Sequence, residues 1–547
     1  MTFRAGPATL RQWGMTTDLP HDPATARWFL PVAERGNPAT RLRAWTTGNL
    51  VTPLVHGRTY FPRLREAVDA LVEGDELYLT AFRGDADAVL DGPGHTVAEV
   101  LGRAAQRGVR VWGLLWRSQP GALDQSEFEN AALARALQDA GAEVVLDART
   151  RRGGSHHQKL VVCRGRDGDT AFLGGIDLAR SRGDDADHAG DPRAQRFPEA
   201  YGPTPPWHDV QVEVRGPAVS CVELTFRERW DGSPLDLPSP FRMLVDRVRH
   251  AGTFTTGDLP PVRPDPPAAG PHAVQVLRTY PARWRRYPFA PLGERSIARA
   301  YRRSLRSARA LVYVEDQYLW APGVAKLLAR ALRRQPGLRL VVVVPRFPDK
   351  EGRAALPSLL GRERAIELYR AAGRDRFAVY DVENPRGEPV YVHSKVVVVD
   401  DTWAMVGSDN MNRRSWTHDS ELSCAVLDAT RDPREPVDPG GLGDGARAFA
   451  RDLRLELWRE HLDRDPGGAQ DDDLVDPEAA FAAMAASAQA LQAWYDGGQV
   501  GPRPPGRLRP HVPGRVPRRH RPWAVVVSRL AYDPDGRAVR DRLRRRH

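Results

Sequence analysis

The chain has 547 residues, 41% apolar and 27% charged, the composition of a soluble globular chain with room for about two to four domains. A formal net charge of +10 suits polyanionic partners such as nucleic acid, anionic lipid or phosphate esters, although the abundance of Arg, Ala, Pro and Gly gives compositional bias an equal claim. Cys163, Cys221 and Cys424 cannot build a disulfide framework, none lies in a C-x-x-C pair, and no apolar run approaches the ~18 residues of a membrane span. With no basic-then-apolar segment at the N-terminus, a cytoplasmic or peripheral membrane location is expected.

Residues 1–45 show no period and read as an irregular arm. From there strands and helices alternate. Gly74–Phe82 reads as a strand, Thr96–Gln106 as a helix stopped by Gly108, and Val109–Trp116 as a strand buried on both faces. Glu127–Ala140 follows as a helix and Ala142–Ala148 as a short strand. His157–Cys163 and Thr170–Ile176 close this half as a strand pair around the turn RGRDGD. A Pro-rich stretch, Asp231–Pro271, reads as a surface connection.

The order then repeats. Ser296–Ala308 is a helix, Leu311–Leu319 a strand, Val324–Arg334 a helix and Leu338–Val344 a buried strand. A long helix covers Arg353–Ala372, Phe377–Val382 is a strand, and His393–Asp400 with Trp403–Ser408 form the closing pair. Tyr78 stands as far ahead of His157 as Tyr313 does ahead of His393, to within one residue. The pattern predicts two similar mixed-sheet α/β sandwich halves in a pseudo-two-fold arrangement, residues 46–235 and 273–470, with the active site between them. Residues 236–272 connect them. Residues 471–547 carry a helix, Asp476–Tyr495, and an Arg/Pro-rich tail that reads as a solvated arm.

The chemistry concentrates in two short units. Among 80 Lys and Arg residues only Lys159, Lys326, Lys350 and Lys395 are lysine, and two of these lie in His-x-Lys: His157-Gln158-Lys159 and His393-Ser394-Lys395. A chain that otherwise writes its cations as Arg keeps a compact ammonium there. On a strand, residues i and i+2 share a face, so each unit presents an imidazole beside an ammonium. Gly174-Gly175 and Gly407-Ser408 on the following strands are expected to leave room for a ligand and to expose backbone N–H groups, completing a phosphate cradle. A lone H-x-K is a chance tripeptide on a solvated face; two at equivalent places in a duplicated frame are not. A metal site at His156 and His157 is disfavoured, because neighbouring strand residues face opposite sides and no matching His/Asp cluster follows.

The second unit reads H-x-K-x4-D, with His393, Lys395 and Asp400, then Gly407, Ser408 and Asn410. On these residues the chain, over about residues 50–470, resembles the phospholipase D superfamily. Trp207-His208-Asp209, Gly174–Asp177 with Arg182 and Asp184, Val314–Tyr318, Arg413–Ser415 and Asp419–Glu421 are similar to phospholipases D proper. The first unit departs from the signature: Arg164 stands where Asp is expected, and its hairpin is longer, so Asp167 or Asp169 is a candidate substitute. The resemblance implies a phosphodiesterase in which one histidine forms a phosphohistidine and the other protonates the leaving alcohol. It assigns the attack to His157 and the proton to His393, with Asp209 orienting His157 and Glu421 orienting His393. Lys159, Lys395, Asn410 and the glycine backbones would hold the non-bridging oxygens. Two lysines and an imidazolium carry the charge, so no metal and no cofactor is expected.

The leading substrate is a phospholipid at a membrane surface, cleaved to phosphatidate and a head-group alcohol, with transphosphatidylation as a second outcome. Residues 1–45 are too short for a separate membrane-targeting domain, which leaves docking to the Arg-rich catalytic body. A nuclease using the same site on nucleic acid is the alternative. A non-catalytic anionic-lipid or polyanion binder with a degenerate first motif is the third reading. Oligomeric state is not legible.

Overall fold

The structure is a computed structural model that describes residues 23–118, 126–195, 197–231, 257–283 and 286–543. The first half supplies β1 (Thr46–Val55), β2 (Glu76–Ala81), β3 (Arg110–Trp116), β4 (Glu143–Asp147), β5 (Leu160–Gly165), β6 (Gly168–Gly174), β7 (Trp207–His208) and β8 (Val210–Arg215). The second supplies β9 (His272–Tyr280), β10 (Glu294–Arg295), β11 (Leu311–Glu315), β12 (Arg339–Val343), β13 (Phe377–Val382), β14 (Tyr391–Val392), β15 (Val396–Val399), β16 (Trp403–Gly407) and β17 (Glu421–Asp428), and β18 (Leu508–Pro510) follows.

These strands form one mixed α/β layer structure around a sixteen-stranded sheet, in the order β18-β13-β12-β11-β15-β16-β17-β9-β1-β8-β6-β5-β2-β3-β4, with β10 beside β9. The order is palindromic. Reading outward from the β1–β9 seam, each half runs through its closing strand, its hairpin and then a parallel trio, β2-β3-β4 or β11-β12-β13. The trios are buried on both faces, as their near-continuous apolar sequences require. At the seam the Asn49 amide donates to the carbonyls of Thr46 and His272, and its oxygen accepts from the Ala218 N–H. Local signals place the helices: Thr96 and Glu99 close a capping box, and Gly108 and Gly141, at φ of 89° and 99°, turn the chain after their helices.

Three expectations need correction. The His-x-Lys residues are not inside regular strands: β5 begins at Leu160 and β15 at Val396, and each unit is an extended segment leading into its strand. The N-terminal arm is not irregular where described. It holds helices Pro23–Trp28 and Val32–Arg35, and Trp28, Phe29 and Leu30 pack into the core of the second half. The C-terminal tail is not a solvated arm. β18 pairs with β13, Val516 and Ala524 pack against Leu360, and the Tyr532 hydroxyl donates to the Ala354 carbonyl. Isolated apolar residues in a Pro/Arg background give no periodic signal, which is why the docking was illegible. Of the Pro-rich connection, residues 232–256 lie outside the described residues.

The signature carboxylate of the second half is structural. Asp400 accepts hydrogen bonds from the N–H groups of Arg309, Ala310 and Leu311 at 2.8, 2.8 and 2.9 Å, fixing the start of β11 far from the lysine end of its own strand. In the first half those duties are redistributed. Gly74 N–H donates to the Gly108 carbonyl and Asp75 N–H to that of Val72. Arg164, fully buried, ion-pairs with Glu223 and Asp169 at 3.1 Å each. Asp169 therefore serves Arg164 and does not replace the missing signature residue. Asp400→Ala would leave three donors unpaired, that of Leu311 buried and those of Arg309 and Ala310 half-buried, and is expected to destabilise the fold by about 2 kcal/mol or more. Urea denaturation measures this, and the KM of the purified variant should match the parent.

Candidate active site

Each His-x-Lys unit is held by the opposite half. The His157 N–H donates to the Ser420 carbonyl at 2.9 Å, and the His393 N–H to the His208 carbonyl at 2.8 Å. The residue after each of these acceptors is an acid, and that acid binds the imidazole. Glu421 Oε2 lies 2.8 Å from His157 Nδ1, and Asp209 Oδ2 lies 2.6 Å from His393 Nδ1. The resemblance implied the reverse pairing, Asp209 with His157 and Glu421 with His393. The structure crosses them because β7 runs parallel to β14, with Trp207 opposite Tyr391 and His208 opposite Val392, which delivers Asp209 to the other half's histidine. Both rings are thus tied through Nδ1, leaving both Nε2 atoms for substrate.

The lysines complete the cluster. Lys159 Nζ donates to the His157 carbonyl at 3.1 Å, lies 3.6 Å from Asp177 Oδ1 and sits over the Phe82 ring at 4.8 Å. Lys395 Nζ donates to the His393 carbonyl and to Gln317 Oε1. Both ammonium groups feel both Asp209 and Glu421, and Lys395 feels Lys159, so the two units share one site. Asn410 is buried, and its Oδ1 has no hydrogen-bond partner.

The glycines have a different task from the one expected of them. The N–H groups of Gly175, Gly407 and Ser408 are already committed, to the carbonyls of Val210, Lys395 and Leu422. A Cβ at Gly175 would fall 2.1 Å from Asp209 Oδ1, and one at Gly407 would fall 2.0 Å from Ser423 Oγ. The Ser408 hydroxyl donates to Glu421 Oε2 at 2.6 Å. Gly175 and Ser408 therefore admit and orient the acids that orient the histidines, and Gly174 abuts Gln211 and the Val210 carbonyl. The polar side chains beside the rings that these contacts leave are the two lysines and Asn410.

Sequence reasoning gave no role to three neighbours of the rings. Phe82 packs edge-on against His157, with centroids 4.9 Å apart, and Trp207 lies 5.1 Å from His393. The Arg182 guanidinium stacks over Trp207 at 3.8 Å, and its charge acts on both Lys159 and His393. Arg182 was visible only as part of a resembling stretch, because nothing local marks one arginine among so many.

The protonation of the two pairs differs. Burial, then Lys159 and Lys395, hold the His157 imidazole well below its usual range, and burial and Lys395 do the same to His393. Burial and the nearby Asp419 push the Glu421 carboxyl up to about 8. Burial opposes ionisation of Asp209 too, but His393 and Lys395 outweigh it and bring that carboxyl down to about 2. The acid of the His157–Glu421 pair therefore holds a proton more firmly than the acid of the His393–Asp209 pair. One acid facing one base is the state that cleavage of a diester needs.

Behind His208 lies a buried chain of imidazoles and carboxylates. Glu460 meets His56, His188 and His208 at 2.7, 3.0 and 3.1 Å, and Glu315 meets His208 and His461 at 2.9 Å each. His56, His188, His208 and Glu460, and likewise His208, Glu315 and His461, are donor sets of the kinds that bind zinc. In this structure every oxygen of both carboxylates is engaged by a ring nitrogen. Against its burial, Glu315 and Glu460 raise His208 well above its usual range. The chain anchors the backbone that carries Asp209.

The family model described as Phospholipase D matches residues 84–255 and 372–504, and the one described as Cardiolipin synthase, PLD-like domain, matches residues 301–431. The first alone spans more than half of the chain, and the chain belongs to the phospholipase D superfamily. Among curated relatives, Phospholipase D alpha 2 of Oryza sativa subsp. japonica is 25% identical over 76% of this chain and 63% of its own length. Phospholipase D alpha 1 of Ricinus communis is 26% identical over 81% of this chain and 68% of its own length, so the chain spans about two thirds of such relatives. Among solved structures, phosphatidylserine synthase of Haemophilus influenzae aligns at a TM-score of 0.47 and 15% identity, covering 69% of this chain and 82% of that one.

Two outcomes follow from the geometry. The shared proton on Glu421 and the proton on Lys395, which burial brings down to about 8, are both lost as pH rises through that range. Catalysis that uses both should show kcat/KM falling above about pH 8; a pH–rate profile that rises there would contradict the protonation scheme. Arg182→Ala is expected to raise KM for an anionic diester about tenfold, by removal of one charge-assisted contact, with thermal stability close to the parent's.

Proposed function

We propose that the chain is a phospholipase D-type phosphodiesterase that hydrolyses a phospholipid to phosphatidate and a head-group alcohol through a phosphohistidine. The observation that carries this reading is the crossed pair of dyads. Two imidazoles, each fixed through Nδ1 by an acid of the other half, offer Nε2 atoms to one site flanked by two lysines.

The site residues proposed are His157, Lys159, His393 and Lys395, with Asp209 and Glu421 as positioning acids and Asn410 on the phosphate oxygens. In the first step one Nε2 attacks phosphorus, an N–P bond forms, the P–O bond to the head group breaks, and the other imidazolium gives its proton to the leaving oxygen. In the second, water adds to phosphorus, the N–P bond breaks, and the water's proton returns to the imidazole. Lys159, Lys395 and Asn410 oppose the charge on the non-bridging oxygens throughout. An added alcohol in place of water gives transphosphatidylation. The resemblance assigns attack to His157. The raised Glu421 carboxyl, which favours a proton on the His157 side, supports the opposite order, and mapping a trapped phosphohistidine by mass spectrometry decides between them.

The relatives named Phospholipase D support the lipid as substrate. No helix among the described residues is long and apolar enough to cross a membrane, and a lipid enzyme would then meet the bilayer from its surface. Incubation with phosphatidylcholine vesicles and ethanol is expected to yield phosphatidylethanol. His157→Ala and His393→Ala should each lower kcat at least about 100-fold. Nicked DNA without lipid products would replace this reading with a nuclease. No reaction on either substrate would favour the non-catalytic binder.

A further inference from the structure

A second basic site lies away from the dyads, in a cavity of about 420 Å³ between helices Ser296–Ser307, Pro322–Arg334 and Arg413–Thr417. Its wall carries Arg302, Arg306, Arg330, Arg334 and Arg413, and no Asp or Glu lines it among the described residues. The spacing is wasteful unless used. Arg302 with Arg306, and Arg330 with Arg334, are like-charge i,i+4 pairs, which destabilise a helix, and here they face each other across a cleft.

Two other arginines on the same elements are neutralised. Arg303, one position from Arg302, pairs with Glu34 at 2.7 Å, and Arg414 pairs with Asp419. The nearby acids beyond the rim are engaged, Asp533 by the Arg413 and Arg414 segment and Asp535 by Arg537. Arg334 is pinned in place by donating to the Leu305 and Arg306 carbonyls, and Arg413 by donating to the Asp533 carbonyl. Among the described residues, the side chains of Arg302, Arg306 and Arg330 find no hydrogen-bond or ion-pair partner. Burial and the surrounding arginines, Arg306 first, loosen the hold of Arg302 on its proton, the signature of cations gathered without a counter-charge. The floor is apolar, from Leu305, Leu327 and Trp416.

We propose that this cleft binds a phosphate monoester or pyrophosphate dianion, at a site separate from the His-x-Lys centre. Planar guanidinium forks converging from three helices match phosphate oxygens, and the volume is that of a small-ligand site. The ligand's source is either the head group of an anionic lipid such as phosphatidate, its glycerol end against the apolar floor, or a soluble phosphate. The inference does not depend on which ester the dyads cleave.

The test is the double charge reversal Arg306→Glu/Arg330→Glu, both at exposed positions, in the full chain. Calorimetric titration of the parent with pyrophosphate is expected to show two binding events, one at each site. The variant should lose one of them, its affinity falling at least about tenfold, while inhibition of bis(4-nitrophenyl) phosphate hydrolysis by pyrophosphate stays at the parent's constant. Sedimentation with phosphatidylcholine vesicles with and without phosphatidate separates the sources. Phosphatidate-dependent binding that the variant loses assigns a lipid head group, and vesicle binding equal in parent and variant assigns a soluble phosphate. A pyrophosphate titration that the variant leaves unchanged overturns the proposal.

Discussion

A carboxylate from each half reaches across to hold the histidine of the other, and the rest of the site is built to permit this exchange. Asp209 can stand beside His393 only because Gly175 has no side chain to block it, and Glu421 is steadied by the Ser408 hydroxyl. The backbone repeats the exchange one residue earlier, where the Ser420 and His208 carbonyls take the N–H groups of His157 and His393. Neither half by itself therefore holds a His-x-Lys imidazole together with its carboxylate. The orientation cost of two opposed rings is met by folding and not by substrate binding.

Burial gives this arrangement its electrostatic character. Two lysines, two histidines and two acids crowd into a site screened from water, so each group's protonation depends on its neighbours. Asp209, beside His393 and Lys395, stays ionised, whereas Glu421, beside Asp419, is reluctant to. Halves that are symmetric in backbone are thereby unequal in how firmly their acids hold a proton. The His–Glu chain behind His208 extends the same logic outward, with each buried carboxylate satisfied by imidazoles.

Charge is used in two ways in this molecule. Many arginines are tied to acids, several fully buried, such as Arg278 between Glu228 and Glu294 and Arg454 on Asp401. These planar forks join elements. Arg302, Arg306 and Arg330, in the cleft between helices Ser296–Ser307 and Pro322–Arg334, have no such partner among the described residues and are the cations available to an anion outside the chain.

Sequence alone determined the alternation of strands and helices, the duplication and the two His-x-Lys units, because these rest on local properties: hydrophobic period, helix stops and a lysine count low enough to make each one informative. The parallel trios and their apolar runs were legible for the same reason. Tertiary structure alone decided which acid meets which histidine, because the pairing follows from β7 lying parallel to β14 across more than a hundred and fifty residues of chain, and no spacing encodes that. It also reassigned the glycines from phosphate to acids, moved Asp400 to a backbone duty and drew the terminal segments onto the body. Each of these is set by what packs against the residue from elsewhere in the chain, a quantity that one-dimensional pattern does not contain.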